Sequence, residues 1–175
     1  MHYPYQLVVF MGDGQEPAIG TPVYDGPRGW IPNIAVKRRF GLRGISEVEL
    51  IELLNDFFDN RACHFGITFK GVVRPNDMPV DVLVIEQVPS LMLFHNDVIN
   101  FLGEKIESRY PERDGANYYP HMTLTWNGKQ VITPDEFFPS PIGALGTRDL
   151  TRVCLLKDPA GSENSEAFHY FDIKH

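Results

Sequence analysis

The 175-residue sequence predicts an α+β fold with antiparallel sheets and one main helix in each half of the chain. Two observations predict this class. Short stretches with strand character are joined by turn-rich segments, so neighbouring strands are expected to pair as hairpins. Two longer stretches instead carry apolar residues at helical spacing. The order of these elements suggests a coarse duplication, in which each half contributes a helix and a strand with a polar face.

The strands of the first half are predicted from alternating or continuous apolar runs. Residues 5–10 form the first, and a long loop rich in Gly and Pro follows over 12–32. Residues 33–40 form the second strand. Residues 64–73 and 80–88 flank a turn of the composition "RPNDMP" and predict a hairpin.

Both helices have recognisable ends. Ser46 and Glu49 form a capping box before a run of Leu and Phe residues at helical spacing. The second helix is predicted to begin after Pro89 and Ser90 and to run to about Tyr110, where Pro111 would stop it. The apolar face of each helix is expected to belong to the core.

The second half continues with a strand at 118–126 and a short helix at 134–138. Residues 150–158 and 168–174 close the chain as a terminal hairpin with a long polar connection. The whole of 1–175 is expected to form a single domain with two lobes.

Composition narrows the function classes. The 16 basic and 23 acidic residues give a net charge of −7, which argues against a broad nucleic-acid-binding surface but allows a small anion in a local pocket. Cys63 and Cys154 form no metal-binding spacing and are expected to be core thiols. No leader or membrane span is predicted, so we expect a cytoplasmic protein without metal or other cofactor. The oligomeric state is left open.

The strand "YYPHMTLTW", residues 118 to 126, poses the functional question. Its alternation directs His121, Thr123 and Thr125 to one face and Met122 and Leu124 to the other. The polar face is either a solvated sheet surface or one wall of a binding site.

Pro120 and the sequence "HMTL" at 121–124 resemble the second H-x-T motif of the two-histidine phosphoesterases, which include the RNA 2',3'-cyclic phosphodiesterases also called 2'-5' RNA ligases. Residues 31–43, "IPNIAVKRRFGLR", resemble the strand of the first motif, and the order of elements resembles the family layout over most of the chain. The resemblance implies a bilobal α+β fold with antiparallel sheets around a groove and a helix on each lobe. It also implies that His121 is an acid or base and that Thr123 holds phosphate.

The first motif departs from the family pattern. Asn33 replaces its histidine and Ala35 replaces its Thr or Ser. Asparagine forms hydrogen bonds but does not titrate near pH 7, and losing one general acid or base costs about 10²- to 10⁴-fold in rate. The standard two-histidine catalyst is therefore incomplete.

Other polar residues are candidates to complete the site. Regular alternation places Lys37 on the face of Asn33 and Ala35, where it would hold a phosphate or simply be solvated, and turns Arg38 to the opposite face. His64 would substitute for the missing histidine if its strand face lined the groove. Tyr119 would stack on a base or pack at the strand end. His95 is expected on the surface of the second helix.

These residues support three functional hypotheses. The first is a phosphodiesterase of weak or altered activity, acting on a 2',3'-cyclic phosphate or a 2'-5'-linked nucleotide or RNA end. The second is a catalytically inactive module that binds the same nucleotide or RNA terminus, bearing a 2'- or cyclic phosphate, in the same groove. The third is a scaffold without a ligand. Binding and turnover of nucleotides discriminate between them.

Overall fold

The computed structural model describes residues 2–10, 16–23, 31, 33–60, 66–67, 69–74, 82–85, 89–123, 125–126, 129–130, 148–149, 151–159 and 164–173. The strands in this part of the chain are β1 Tyr5–Phe10, β2 Asn33–Leu42, β3 Gly66–Ile67, β4 Phe69–Val73, β5 Val82–Ile85, β6 Ile106–Ser108, β7 His121–Thr123, β8 Thr125–Trp126, β9 Lys129–Gln130, β10 Arg148–Asp149, β11 Arg152–Lys157 and β12 Glu166–Asp172. The helices are α1 Glu47–Asp59 and α2 Pro89–Leu102. Short 3₁₀ helices lie at Gly103–Lys105, Pro111–Arg113 and Gly115–Asn117.

The strands form antiparallel sheets, which confirms the predicted fold class. One sheet has the order β12-β11-β1-β2-β6, and a second has the order β4-β5-β7. The hairpin predicted in the first half is the β4-β5 pair, and the terminal hairpin is the β11-β12 pair. The two strands with polar faces, β2 and β7, thus belong to different sheets.

Both helices pack into one core with these sheets. In α1, the capping box between Ser46 and Glu49 is formed as predicted. Phe58 stacks on Phe171 of β12 with ring centroids 5.2 Å apart, and Phe57 meets Phe101 of α2 at 4.8 Å. Burial of such apolar side chains supplies the main stabilisation of the fold. No helix among the residues placed by the structure is long and apolar enough to cross a membrane.

The second helix ends earlier than predicted. It stops at Leu102, because Gly103 adopts a φ of 47°, a left-handed conformation typical of the residue that terminates a helix. Residues 106–108 then form β6, which pairs with the edge of β2. A longer helix was predicted because Ile106 follows Leu102 at helical spacing. Ile106 is indeed buried, but it reaches the core from a strand.

A buried ion pair ties β2 to the segment after β6. Lys37 is 1% exposed, and its Nζ lies 2.6 Å from Asp114 Oδ2 and 2.7 Å from Ser108 Oγ. Removing one partner of a buried ion pair leaves the other charge without compensation, which typically costs about 3 to 5 kcal/mol.

We therefore expect Lys37→Met to lower the free energy of unfolding by about 3 kcal/mol or more in chemical denaturation. Arg43→Met is the matched control, because it removes one cation from an exposed pair with Glu107 and should cost less than about 1 kcal/mol. Adding Asp114→Asn to Lys37→Met should recover part of the loss. Equal, small effects of the two single substitutions would contradict a structural role for the Lys37 pair.

Candidate functional site

The β7 strand has the alternation predicted for it. Met122 is fully buried in the core, whereas His121 and Thr123 are partly exposed on the opposite face. Pairing of Val84 with His121 and of Val82 with Thr123 sets this register in the β4-β5-β7 sheet. The polar face of the strand is thus present, with His121 and Thr123 side by side along it.

The β2 strand does not alternate regularly. Val8 of β1 is paired with Ala35, but the next residue towards the N-terminus, Leu7, is paired with Lys37. Val36 is therefore an extra residue, as in a β-bulge, and both Val36 and Lys37 are buried. A second irregularity lies between the partners of Leu7 and Tyr5, before Phe40 returns to the core.

These irregularities reverse the predicted orientations of Lys37 and Arg38. Residues directly opposite each other in a sheet share a face, so Lys37 lies on the core face with Leu7. Arg38 lies on the partly exposed face, as do Asn33 and Ala35. The prediction for both side chains assumed a strict period of two, and one inserted residue shifts every following side chain to the other face.

Two side chains hold the bulge from outside the strand. His95 of α2 donates from Nδ1 to the Val36 carbonyl oxygen at 2.7 Å and accepts at Nε2 from the Gly115 N–H at 3.0 Å. The Tyr118 hydroxyl donates to the Ala35 carbonyl oxygen at 2.9 Å. The rings of His95 and Tyr118 are stacked, with centroids 3.7 Å apart and planes 7° apart.

The prediction that His95 lies on the helix surface is therefore wrong. It is 1% exposed, and burial lowers its pKa from the ordinary value. A neutral imidazole with one donor and one acceptor nitrogen matches the two backbone groups that it contacts. Helical spacing alone did not reveal these two backbone partners, which lie far away in the chain.

The reoriented Arg38 meets His121. Arg38 Nη2 lies 3.0 Å from Nε2 and 3.2 Å from Nδ1 of the imidazole. His121 Nδ1 is also 2.8 Å from the Tyr119 carbonyl oxygen, which only accepts hydrogen bonds, so Nδ1 carries the proton. Arg38 Nη2 is almost equally far from the two ring nitrogens, so it lies over the face of the imidazole and not in line with the Nε2 lone pair. A neutral His121 suits this contact, because a charged imidazolium would repel the guanidinium.

The electrostatic surroundings of His121 favour the same neutral state. Burial, followed by the positive charges of Arg38 and Arg113, lowers the pKa of His121 to about 4, although the Tyr119 carbonyl opposes the shift. The pKa of Arg38 is lowered by burial and by the charge of Arg113. A histidine with this pKa carries almost no charge at pH 7, so it is a poor proton donor there.

The predicted role of Lys37 in holding phosphate is not compatible with its position. Its Nζ is enclosed by Asp114 and Ser108 on the core side of β2, and burial is the main cause that lowers its pKa. The cation that the structure places on the polar face is Arg38. A signal for this was present in the sequence, because regular alternation puts Arg38 between Val36 and Phe40 on the buried face, where an unpaired charge is costly.

The first-motif residues contribute little chemistry. Asn33 Nδ2 donates to the Ile31 carbonyl oxygen at 2.9 Å, so its amide supports the local backbone. Ala35 has no polar side-chain atom, and its carbonyl oxygen is bound by Tyr118. Neither residue supplies a second titratable group.

Tyr119 is the exposed aromatic residue next to the site. Its side chain is 37% exposed, and its ring centroid lies 5.8 Å from that of His121. An exposed ring beside a polar face is suited to stack on a base. The adjacent Tyr118 is buried and holds the bulge instead.

Several predictions fall outside the described residues. These are His64, Cys63 and the helix at 134–138, and for Thr125 the structure describes only the backbone in β8. Cys154 is a buried free thiol, as predicted. Within the described segments, no group of three His, Cys, Asp or Glu side chains is placed to hold a metal ion.

Taken together, Arg38, His121 and Thr123 form a polar surface with a guanidinium and a neutral imidazole. Among the ion pairs of the described residues, none joins Arg38 to a carboxylate. A guanidinium has a planar set of donors that matches the oxygens of a phosphate or carboxylate. The arrangement is thus chemically suited to bind an anion.

Comparison with known proteins finds matches among solved structures. No protein-family model and no curated protein matches the sequence. Among solved structures, a phosphoesterase crystal structure is 13% identical, with a TM-score of 0.62 and 99% of each chain covered. E. coli LigT complexed with 3'-AMP is 14% identical, with a TM-score of 0.59 and 99% of each chain covered. The protein TT0787 of Thermus thermophilus is 13% identical, with a TM-score of 0.52 and 98% of each chain covered.

At these identities the comparison concerns the fold. The chain matches the phosphoesterase and LigT structures over almost its full length, and the antiparallel five-stranded sheet and two helices agree with that architecture. The predicted fold class is thereby confirmed, and the chain has a LigT-like α+β fold.

Proposed function

We propose that this protein binds the phosphate of a nucleotide or RNA terminus, one that carries a 2'- or cyclic phosphate, on the surface formed by Arg38, His121 and Thr123. The observation that carries the proposal is the contact of Arg38 Nη2 with the His121 ring, 3.0 Å from Nε2. It places a cation without a carboxylate partner among the described residues beside the strand of the H-x-T sequence. Tyr119 is positioned to stack on the base, and 1–175 acts as one bilobal domain.

The solved structures of similar fold support a nucleotide as the ligand. E. coli LigT has been crystallised with 3'-AMP, with phosphate, with ATP and with NADP+. These ligands share a phosphate and, apart from phosphate itself, a nucleoside. The same two features match the charge of Arg38 and the exposed ring of Tyr119.

The geometry favours binding over rapid turnover. In-line cleavage of a phosphodiester requires one group that removes a proton and another that delivers one. Here His121 is neutral, donates to the Tyr119 carbonyl oxygen and has the Arg38 guanidinium against its ring, while Asn33 and Ala35 offer no titratable partner. We propose that any turnover is slow, and that neither His64 nor Lys37 is needed for binding.

A slow phosphodiesterase is the second candidate function. One observation favours it: His121 and Thr123 keep the spacing and the shared face of an H-x-T motif on β7. In this case the missing partner is the main defect, and restoring it should restore catalysis.

The double substitution Asn33→His and Ala35→Thr tests this point. If the groove is otherwise that of a phosphodiesterase, turnover of 2',3'-cyclic nucleotides or 2'-5'-linked dinucleotides should rise by about 10²- to 10⁴-fold over the unmodified protein. Rates measured by chromatographic product analysis would check it. Adding His121→Ala should abolish the gain, whereas no gain together with retained nucleotide binding supports the binding module.

A second prediction concerns the protonation of His121. Arg38→Met should raise its pKa from about 4 towards, but not up to, the ordinary value of 6.5, because burial and Arg113 still disfavour the charged form. The His121 resonance followed by NMR during a pH titration measures the change. Arg43→Met removes an exposed cation of the same type and should leave this pKa where it was. A pKa of His121 that does not respond to Arg38→Met would contradict the contact.

A further inference from the structure

We infer that the site selects a phosphate monoester, with its dianionic terminal group, over a cyclic phosphodiester, and that Arg38 is the residue that makes this selection. The inference rests on the proposed function and specifies the ligand of the same surface. The preferred ligand would thus belong to the class of products that form when a cyclic phosphate ring is opened, and not to the class of cyclic substrates.

The two ligand classes differ in charge and in acceptor oxygens. A monoester phosphate carries about −1.5 to −2 charges near pH 7 and presents three strong acceptor oxygens. A cyclic phosphodiester carries one negative charge and presents two non-bridging oxygens. A site with fixed cations and unused donors therefore gains more from the monoester.

Among the described residues, Arg38 keeps donors without a hydrogen-bond partner. Its Nη2 contacts the His121 ring, and neither Nη1 nor Nε has a hydrogen-bond partner in this part of the chain. Each bidentate edge of a guanidinium pairs Nη2 with Nη1 or with Nε. Bidentate binding of two phosphate oxygens would therefore use an N–H of Nη2 beside one of these two groups.

The positive charge at Arg38 is not neutralised by the carboxylate that acts on it. Asp114 contributes an attractive charge to Arg38, but its Oδ2 is already 2.6 Å from Lys37 Nζ. Arg113, the residue before Asp114, also acts on both Arg38 and His121 with its positive charge, although it is itself 3.8 Å from a carboxylate oxygen of Glu112. The pairing of Asp114 with Lys37 therefore leaves the charge of Arg38 only partly compensated by Asp114.

The residues at the first-motif positions favour the same ligand class. A cyclic substrate is processed by moving protons between two groups, and the described residues at the first-motif positions, Asn33 and Ala35, move none. Arginine stays charged at neutral pH and acts by attraction alone. A site with a fixed cation at Arg38 and no titratable group at Asn33 or Ala35 therefore favours a more highly charged ground-state ligand.

Four ligands at pH 7.5 test the inference by calorimetric titration of the full chain. They are adenosine 2'-monophosphate, adenosine 3'-monophosphate, adenosine 2',3'-cyclic monophosphate and adenosine. We expect each monoester to bind at least about tenfold more tightly than the cyclic compound. The cyclic compound should in turn bind more tightly than adenosine. The base of all four ligands is expected to stack on Tyr119.

Three variants separate the role of Arg38 from stability. Arg38→Met should weaken binding of the monoesters by about tenfold to a hundredfold, the usual range for a lost hydrogen bond to a charged group, and weaken the cyclic compound less. Arg38→Lys keeps the charge without the fork and should restore part of the monoester affinity. Arg43→Met should change none of the four affinities, and denaturation curves should show that all variants are folded.

The possible failures are distinguishable. Equal affinity for the monoesters and the cyclic compound, or an equal loss of both in Arg38→Met, would overturn the selection while leaving nucleotide binding intact. No binding of any phosphate-bearing ligand by the unmodified protein would instead overturn the proposed function itself.

Discussion

The hydrogen bond from His95 Nδ1 to the Val36 carbonyl oxygen, 2.7 Å long, holds β2 in a register that regular alternation would not produce. An extra residue in a strand leaves a backbone carbonyl without its ladder partner, and a buried carbonyl must find another donor. His95 supplies that donor from α2, while its other nitrogen accepts from Gly115. The site depends on this constraint because the bulge decides which cation faces His121.

Because of the same constraint, one basic residue of β2 is buried in the core and the next lies on the partly exposed face. Lys37 turns inward and pairs with Asp114, a pair that ties the strand to the segment leading to β7. Arg38 turns outward to His121, and the next residue, Arg39, pairs with Asp158 after β11. Three neighbouring cations thus have three separate partners. Of these three, only Arg38 has a partner that cannot neutralise its charge at pH 7.

Under the proposed function, this arrangement would let the protein bind a phosphate without a pair of titratable groups. A neutral imidazole bound to a guanidinium contributes hydrogen bonding without proton transfer, and the guanidinium contributes charge. Binding needs charge and shape, whereas turnover also needs titratable groups with suitable pKa values. The described residues meet the first requirement better than the second.

The sequence by itself determined the elements whose signals are local. The capping box of α1 and the alternation of His121, Met122 and Thr123 were both readable, because each depends on neighbours along the chain. Tertiary structure decided the orientation of Lys37 and Arg38, since the bulge is stabilised by His95 and Tyr118, which are distant in sequence. It also decided the end of α2, where pairing of 106–108 with β2 replaced continued helix. Period-two reasoning fails at a bulge because one inserted residue reverses the side chains that follow it, here Lys37 and Arg38, until a second irregularity returns Phe40 to the core.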